Sequence, residues 1–232
     1  MTLQKNSPYT LAIIQARMGS TRLPGKLLLD FHGHTIVEWI YKRVSQANLL
    51  DGLIFAIPTT IDNDILEDHI TAMGGIVYRG SENDLVDRFY QVAHKYKADR
   101  IVRVCADNPM ICGEVIDHLI EYYDHNQCDY AYNHIPRNNL YPDGLGAEIC
   151  SIALLDEIKK RAVTAGHKEH LFNYIWDNQS NYNIKTFDPS DHRLIHPELK
   201  LDLDTPEDYR YLSKRPYKIG MTAVEIIALS LT

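Results

Sequence analysis

The sequence predicts an α/β protein, a mostly parallel sheet with helices covering both of its faces. Two observations predict it. Short apolar runs of strand length alternate with amphipathic stretches of helix length along most of the chain. The first of those runs ends abruptly in a cationic, glycine-containing loop, the way α/β sheets present an anion site at the carboxyl edge of a strand.

Taken in order, Leu11–Ile14 is the first strand, and Thr35–Ala47 carries apolar residues at helical spacing. Leu53–Ile57 is a second strand. Asp62–Met73 follows as a helix with Asp62 or Asn63 near its cap, ended by Gly74-Gly75. Ile76–Tyr78 is a short strand. Ser81–Tyr96 opens with a Ser-x-x-Asp pattern (Ser81, Asp84) and runs as an amphipathic helix. Ile101–Cys105 is the next strand, stopped by Asp107-Asn108-Pro109; Val115–Tyr123 is a helix and Tyr130–Tyr132 a further strand.

The alternation breaks from Asn133 to Gly146, a stretch rich in Asn, Pro, Gly and Tyr; residues 133–150 read as an inserted arm or an acceptor-binding wall. Beyond it come an apolar segment (Ala147–Ile152), helices at Leu154–Arg161 and Lys168–Trp176, and strands at Asn183–Phe187 and Leu199–Leu203. Helices at Pro206–Leu212 and Ala223–Leu231 close the chain, the former capped by Thr205 with Pro206 in its first turn. No repeat or linker divides the 232 residues, so a single domain is expected over 1–232.

A formal charge of −7 and a pI near 5.8 exclude a generally basic, nucleic-acid-binding surface. Any anion site is therefore local. Cys105, Cys112, Cys128 and Cys150 show no Cys-x-x-Cys spacing, which argues against a structural zinc or a disulfide framework. No apolar run is long enough to span a bilayer, and the first eight residues lack the apolar core of a signal peptide, so a cytoplasmic protein is expected.

The first loop carries the strongest chemical signal. Between Gln15 and Lys26 it holds three cations (Arg17, Arg22, Lys26), two hydroxyls (Ser20, Thr21) and two glycines (Gly19, Gly25). Glycine backbone closes N–H groups around an anion while guanidinium and ammonium groups neutralise it. The spacing is that of neither the dinucleotide fingerprint nor the Walker loop. Two acidic clusters stand at the ends of other strands: Asp107, and Asp202-Leu203-Asp204 ahead of Thr205-Pro206-Glu207-Asp208. Ligands of an open parallel sheet sit beyond the carboxyl ends of its strands, so these clusters and the loop belong at one edge. A cationic cradle facing carboxylates suits Mg²⁺ and a nucleoside triphosphate. Plainer readings stand beside this: Asp107 as an Asx turn before Asn-Pro, Asp204 as the start of a helix. Arg79 and Ser81 open a helix whose N–H groups face an anion. Arg88 reads equally as part of a solvated salt-bridge face. Arg103, inside a buried strand, is expected to be paired or turned toward a ligand. His167-x-x-His170 lacks the spacing of a zinc helix.

Together, Ala16–Leu28 (ARMGSTRLPGKLL), Ala106–Ile111 (ADNPMI) and Asp202–Asp208 (DLDTPED) resemble the cytidylyltransferase family, which includes the CMP-KDO and CMP-sialic acid synthetases. The likeness is closest to its spore coat polysaccharide biosynthesis protein F branch, whose segments Arg79–Phe89 and Lys168–His170 also match. It spans nearly the whole chain. Where KDO enzymes have Gln-Gly-Asp-Glu-Pro, this chain has Cys105–Pro109 (CADNP), keeping the aspartate.

The resemblance implies a Rossmann-like nucleotidyltransferase fold that uses CTP and Mg²⁺, moves CMP to a sugar acid or related small acceptor for polysaccharide or glycoconjugate synthesis, and releases pyrophosphate. Arg17, Ser20, Arg22 and Lys26 then match the triphosphate loop, with Gly19 and Thr21 beside them. The backbone of Ile14, Gln15 and Ala16 approaches cytosine and ribose. Asp107 and Asp204 match the metal ligands, Asp202 joining them. Arg79 and Arg103, with Arg137 and Lys168, are the cations available to an acceptor carboxylate. The resemblance also implies a homodimer. A phosphate-bearing acceptor, or a nucleotide-sugar glycosyltransferase using Asp202-x-Asp204, is the alternative.

Overall fold

Strand β1 (Thr10–Gln15) is the spine on which the rest is assembled; the structure, a computed structural model, describes residues 7–232. Residues 1–6, part of the stretch read above for a targeting signal, lie outside them. After β1 come the loop, a two-strand hairpin of β2 (Asp30–Phe31) and β3 (His34–Thr35), and helix α1 (Ile36–Val44). Strand β4 (Gly52–Pro58), helix α2 (Asp64–Ala72), strand β5 (Ile76–Gly80), helix α3 (Leu85–Lys95), strand β6 (Arg100–Cys105) and helix α4 (Gly113–His125) continue the alternation. Then follow β7 (Tyr130–Tyr132), β8 (Glu148–Ser151), α5 (Ile152–Arg161), α6 (Ala165–Glu169), α7 (Asn173–Asp177), β9 (Ile184–Lys185), α8 (Pro206–Ser213) and α9 (Ala223–Ser230).

Seven of these strands form one sheet in the order β5-β4-β1-β6-β8-β7-β9. Every pairing is parallel except the two made by β8. Successive residues of β1 feed opposite cores. Ala12 and Ile14 join α1, α4 and α9, while Leu11 and Ile13 join α3, α5 and α7. Burial on both faces is what removes polar alternation from such a strand. Among the described residues no helix is long and apolar enough to cross a membrane.

Three expectations need correcting. Leu199–Leu203 is extended but is not a sheet strand; Lys200 makes one parallel bridge, to Asp143, and Leu203 donates its N–H to the carbonyl of Asp107. The strand expected over Asn183–Phe187 shrinks to β9. Lys168–Trp176 is not one helix, because the chain bends at His170–Phe172 to sink Leu171 and Phe172 into the core between α6 and α7. Residues 133–150, read above as an arm or a wall, end in β8 from Glu148 onward, and the segment packs Tyr141, Leu145 and Ala147 onto its own sheet while Pro136, Arg137 and Asn138 stay exposed. It does so tightly. The Asn133 side chain accepts from Ala147 N–H and donates to the Val115 carbonyl, and a Cβ at Gly146 would collide with Asn133.

Candidate functional site

From β1 the chain builds outward through β4 to β5, then crosses to β6 on the other side of β1. That reversal opens a crevice between the carboxyl ends of β1 and β6, where an α/β sheet takes its ligands. A cleft of about 190 Å³ lies there, lined by Gln15, Ala16, Arg17, Gly19, Ser20, Thr21, Arg22 and Lys26 on one side and by Cys105, Asp107 and Asp204 on the other. A roomier hollow of about 370 Å³ near Glu157 and Tyr182 holds none of these groups, and its Arg161 is already paired with Glu157 at 3.0 Å.

The loop is held from both ends. Ala16 N–H bonds to the Ala56 carbonyl, and Met18 N–H donates to Asn63 Oδ1 at 2.9 Å. Asn63 thus stands at the N-terminus of α2 but turns its side chain to the loop rather than capping its own helix. Leu23 N–H donates to Ser20 Oγ, and Gly25 takes a left-handed turn (φ 69°) that an L side chain would strain. Gly19 needs no such freedom.

Asp204 is the point of convergence. Lys26 Nζ lies 3.3 Å from one carboxylate oxygen and 2.8 Å from the Leu203 carbonyl, and Arg22 Nη2 lies 2.8 Å from the other oxygen. The backbone at Asp204 is fixed by the cap of α8, where Thr205 and Asp208 cap reciprocally and Asp208 also accepts the Asp204 N–H. Asp107 sits opposite. Its carboxylate makes no hydrogen bond among the described residues, so the Asx-turn reading falls away. Its carbonyl holds Leu203, tying the two acidic segments together.

Asp202 lies just behind this wall. It pairs with Lys200 at 3.3 Å, and its Oδ1 is buried without a partner. Burial raises its pKa, and burial followed by Asp202 pushes Asp143 up to about 6. Asp143, missed from sequence, had its only signal in the Asp143-Gly144 turn; a Cβ at Gly144 would lie 2.8 Å from Asp202 N. Among the described residues no three acidic, His or Cys side chains form a ready-made metal cage. Mg²⁺ does not require one: it takes one or two carboxylates and completes its shell with phosphate oxygens and water. Hard oxygen donors at Asp107 and Asp204, with an unpartnered carboxylate oxygen behind them, fit that ion.

The remaining expected site residues lie elsewhere. Ile14 is fully buried, leaving only its backbone near the cleft. Arg79 is a correction: its guanidinium is consumed by Asp64 (2.5 Å), Glu67 (2.8 Å) and the carbonyls of Pro58 and Thr60. Ser81 Oγ accepts the Asp84 N–H, while Asp84 itself caps α3. Arg103 is paired. One Nη donates to Glu148, whose other oxygen accepts from Tyr130, and its Nε donates to Gln15 Oε1 at 3.1 Å. Burial opposes the charge on Glu148, but Arg103 overcomes it and holds the carboxyl below its usual range. Glu148 and Tyr130 were not foreseen; a lone acid inside the apolar run Ala147–Ile152 was the available signal. Burial lifts the Cys105 thiol to about 12, so it is no nucleophile.

Comparison with known proteins identifies the family. The cytidylyltransferase family matches residues 11–214. Spore coat polysaccharide biosynthesis protein SpsF of Bacillus subtilis is 33% identical over 228 residues, 94% of this chain and 92% of that one. A 3-deoxy-manno-octulosonate cytidylyltransferase of Fusobacterium nucleatum is 38% identical over 120 residues, 50% of this chain and 47% of that one. The structure of a cytidylyltransferase from Leptospira borgpetersenii serovar Hardjo-bovis matches with a TM-score of 0.86 and 28% identity, over 96% of this chain and 93% of that one. With its nucleotidyltransferase fold and these relatives, the chain belongs to the cytidylyltransferase family.

Proposed function

We propose that this enzyme transfers CMP from CTP to a hydroxyl of a sugar acid or related small acceptor, with Mg²⁺ and release of pyrophosphate. One observation carries the reading: Arg22 and Lys26 converge from the loop on Asp204, facing Asp107 across the crevice at the sheet's switch point. The half-chain relative is named for 3-deoxy-manno-octulosonate, a sugar acid.

In this reading the acceptor oxygen attacks the α-phosphorus, the bond from that phosphorus to the β-phosphate oxygen breaks, and the acceptor proton passes to solvent. Lys26, Arg22 and Arg17 take the charge of the departing pyrophosphate, aided by the hydroxyls of Ser20 and Thr21. The backbone of Ile14–Ala16 lies against cytosine and ribose. Asp107 and Asp204, with Asp202 behind, would hold Mg²⁺, which supplies charge neutralisation at the phosphates. Catalysis is then chiefly positioning and electrostatics. The reading includes a homodimer in the cytoplasm, the compartment that supplies CTP, and gives neither nucleic acid nor membrane a part. A phosphate-bearing acceptor is the second form of the same chemistry. A nucleotide-sugar glycosyltransferase would leave the loop cations without a task.

Melting the protein with CTP, UTP, ATP and GTP, with and without Mg²⁺, tests it. A ligand at a hundredfold its dissociation constant adds about 2.7 kcal/mol. A selective CTP shift, followed by pyrophosphate release with a sugar acid but not a phosphomonoester, is expected. No shift with any of the four overturns the reading.

A further inference from the structure

Four arginines have side chains at least largely removed from solvent, and three are fully provided for. Arg43 donates to the carbonyls of Ile111, Ile219 and Met221 and to Cys112 Sγ. Arg100 has Asp124 and Thr10; Arg103 has Glu148 and Gln15. Arg88, in the first turns of α3, is different. It is 2% exposed, yet its Nε is buried without a partner, and one Nη donates to the Ser81 carbonyl at 3.0 Å. No carboxylate lies within ion-pair distance. Asp84, one helical turn earlier, caps α3 and is drawn to Lys159 and Lys168, each 3.6 Å away.

The guanidinium is also placed with care. Its stem packs on Gly80, where a Cβ would come within 2.9 Å of Arg88 Cγ. Gly80 ends β5 at the carboxyl edge; its carbonyl accepts from Thr59, just after β4, and β4 in turn holds Ala16 through Ala56. Across that edge stands Arg17, exposed and without a hydrogen bond or ion pair among the described residues. Burial, then the like charge of Arg17, bring the Arg88 pKa down to about 10 against a smaller opposing pull from Glu82, which forms no ion pair with it, so it stays charged at neutral pH at the expense of folding. A buried cation with no paired counter-charge is destabilising, and a charge set in place before a ligand arrives strengthens an anion's binding.

We propose that Arg88 is a phosphate-binding residue, closing with Arg17 on one phosphate of the bound nucleotide from the β5 side of the cleft. This rests on the nucleotide reading above. The anion supplies the paired counter-charge that Glu82, acting without an ion pair, does not.

The test measures melting, and calorimetric binding of CMP, cytidine and pyrophosphate, in the wild type, Arg88→Met and Arg88→Lys. Met keeps the stem against Gly80 and removes the charge. Unliganded Arg88→Met is expected to melt at or above the wild type, to bind CMP about tenfold to a hundredfold more weakly, and to bind cytidine unchanged. Arg88→Lys, a point charge without the fork, is expected between the two in CMP affinity. Arg88→Met that melts lower and binds CMP normally overturns the proposal and makes Arg88 structural. Cytidine affinity falling in step with CMP overturns the phosphate assignment. A wild type that binds none of the three ligands removes the nucleotide reading itself, and this proposal with it.

Discussion

Two sets of ion pairs lie close together in this enzyme and serve opposite ends. At the mouth of the cleft Arg22 and Lys26 share Asp204; the Arg22 side chain is 64% exposed, while Lys26 and Asp204 are 12% and 20% exposed. Beneath its floor Arg103 and Glu148 pair with side chains 13% and 4% exposed, sealed by Tyr130 and Gln15. An exposed pair is worth about 0–1 kcal/mol and exchanges partners freely. Losing one member of a buried pair costs about 3–5 kcal/mol, because the other charge is stranded. In the proposed reading the Arg22–Asp204 pair at the mouth can therefore be given up to a triphosphate, whereas the floor cannot be opened so readily. In that reading binding belongs to the first region and shape to the second.

The comparison breaks first at Glu148. Glu148→Gln is expected to lose about 3–5 kcal/mol, a melting temperature lower by on the order of 10 °C. A melt within about 2 °C of wild type would show that the floor is as exchangeable as the mouth. Lys26→Ala and Asp107→Ala should do the reverse: pyrophosphate release falling by about 2–4 kcal/mol of transition-state stabilisation, roughly thirtyfold to a thousandfold, with melting nearly unmoved. Asp204→Asn sharpens the distinction, since it frees Arg22 and Lys26. Metal-free pyrophosphate binding should tighten a few-fold, on the order of the fraction of a kcal/mol an exposed pair holds, while turnover drops.

The smallest effect lies at His134, 3.8 Å from Glu148. Burial lowers its pKa from 6.5, so the unfolded chain takes up a proton that the folded one refuses. Its contribution is whole above pH 6.5 and drains away as pH falls below it. His134→Gln should therefore narrow the gap in melting temperature between pH 7.5 and pH 5.5; an unchanged gap would show that His134 protonates equally in both states.

The parallel half of the sheet and the loop were legible because their signals are local. Leu11–Ile14 is apolar throughout, and Arg17, Arg22 and Lys26 crowd one loop after it. Partners distant in sequence were not. Nothing near Arg79 announces that Asp64 and Glu67 claim it, and Asp84, spaced to pair with Arg88, goes instead to lysines on α5 and α6. Leu199–Leu203 has a strand's composition but runs past Asp143, which offers it two backbone hydrogen bonds, and Asp107, which offers one, rather than a ladder. Leu171 and Phe172 fit a helical pattern, yet the chain bends to bury them.

One reversed strand has a wider meaning. Because β8 runs against its neighbours, residues 133–147 leave and re-enter the sheet at the carboxyl edge, with Pro136, Arg137 and Asn138 standing exposed at the tip. A parallel neighbour would have required a long crossover; an antiparallel one requires only a turn. The tip can lengthen or shorten without altering strand order or the phosphate loop, and surface loops tolerate such changes at little entropic penalty. That lets a lineage remodel this edge of the molecule while keeping the sheet and the loop after β1 intact.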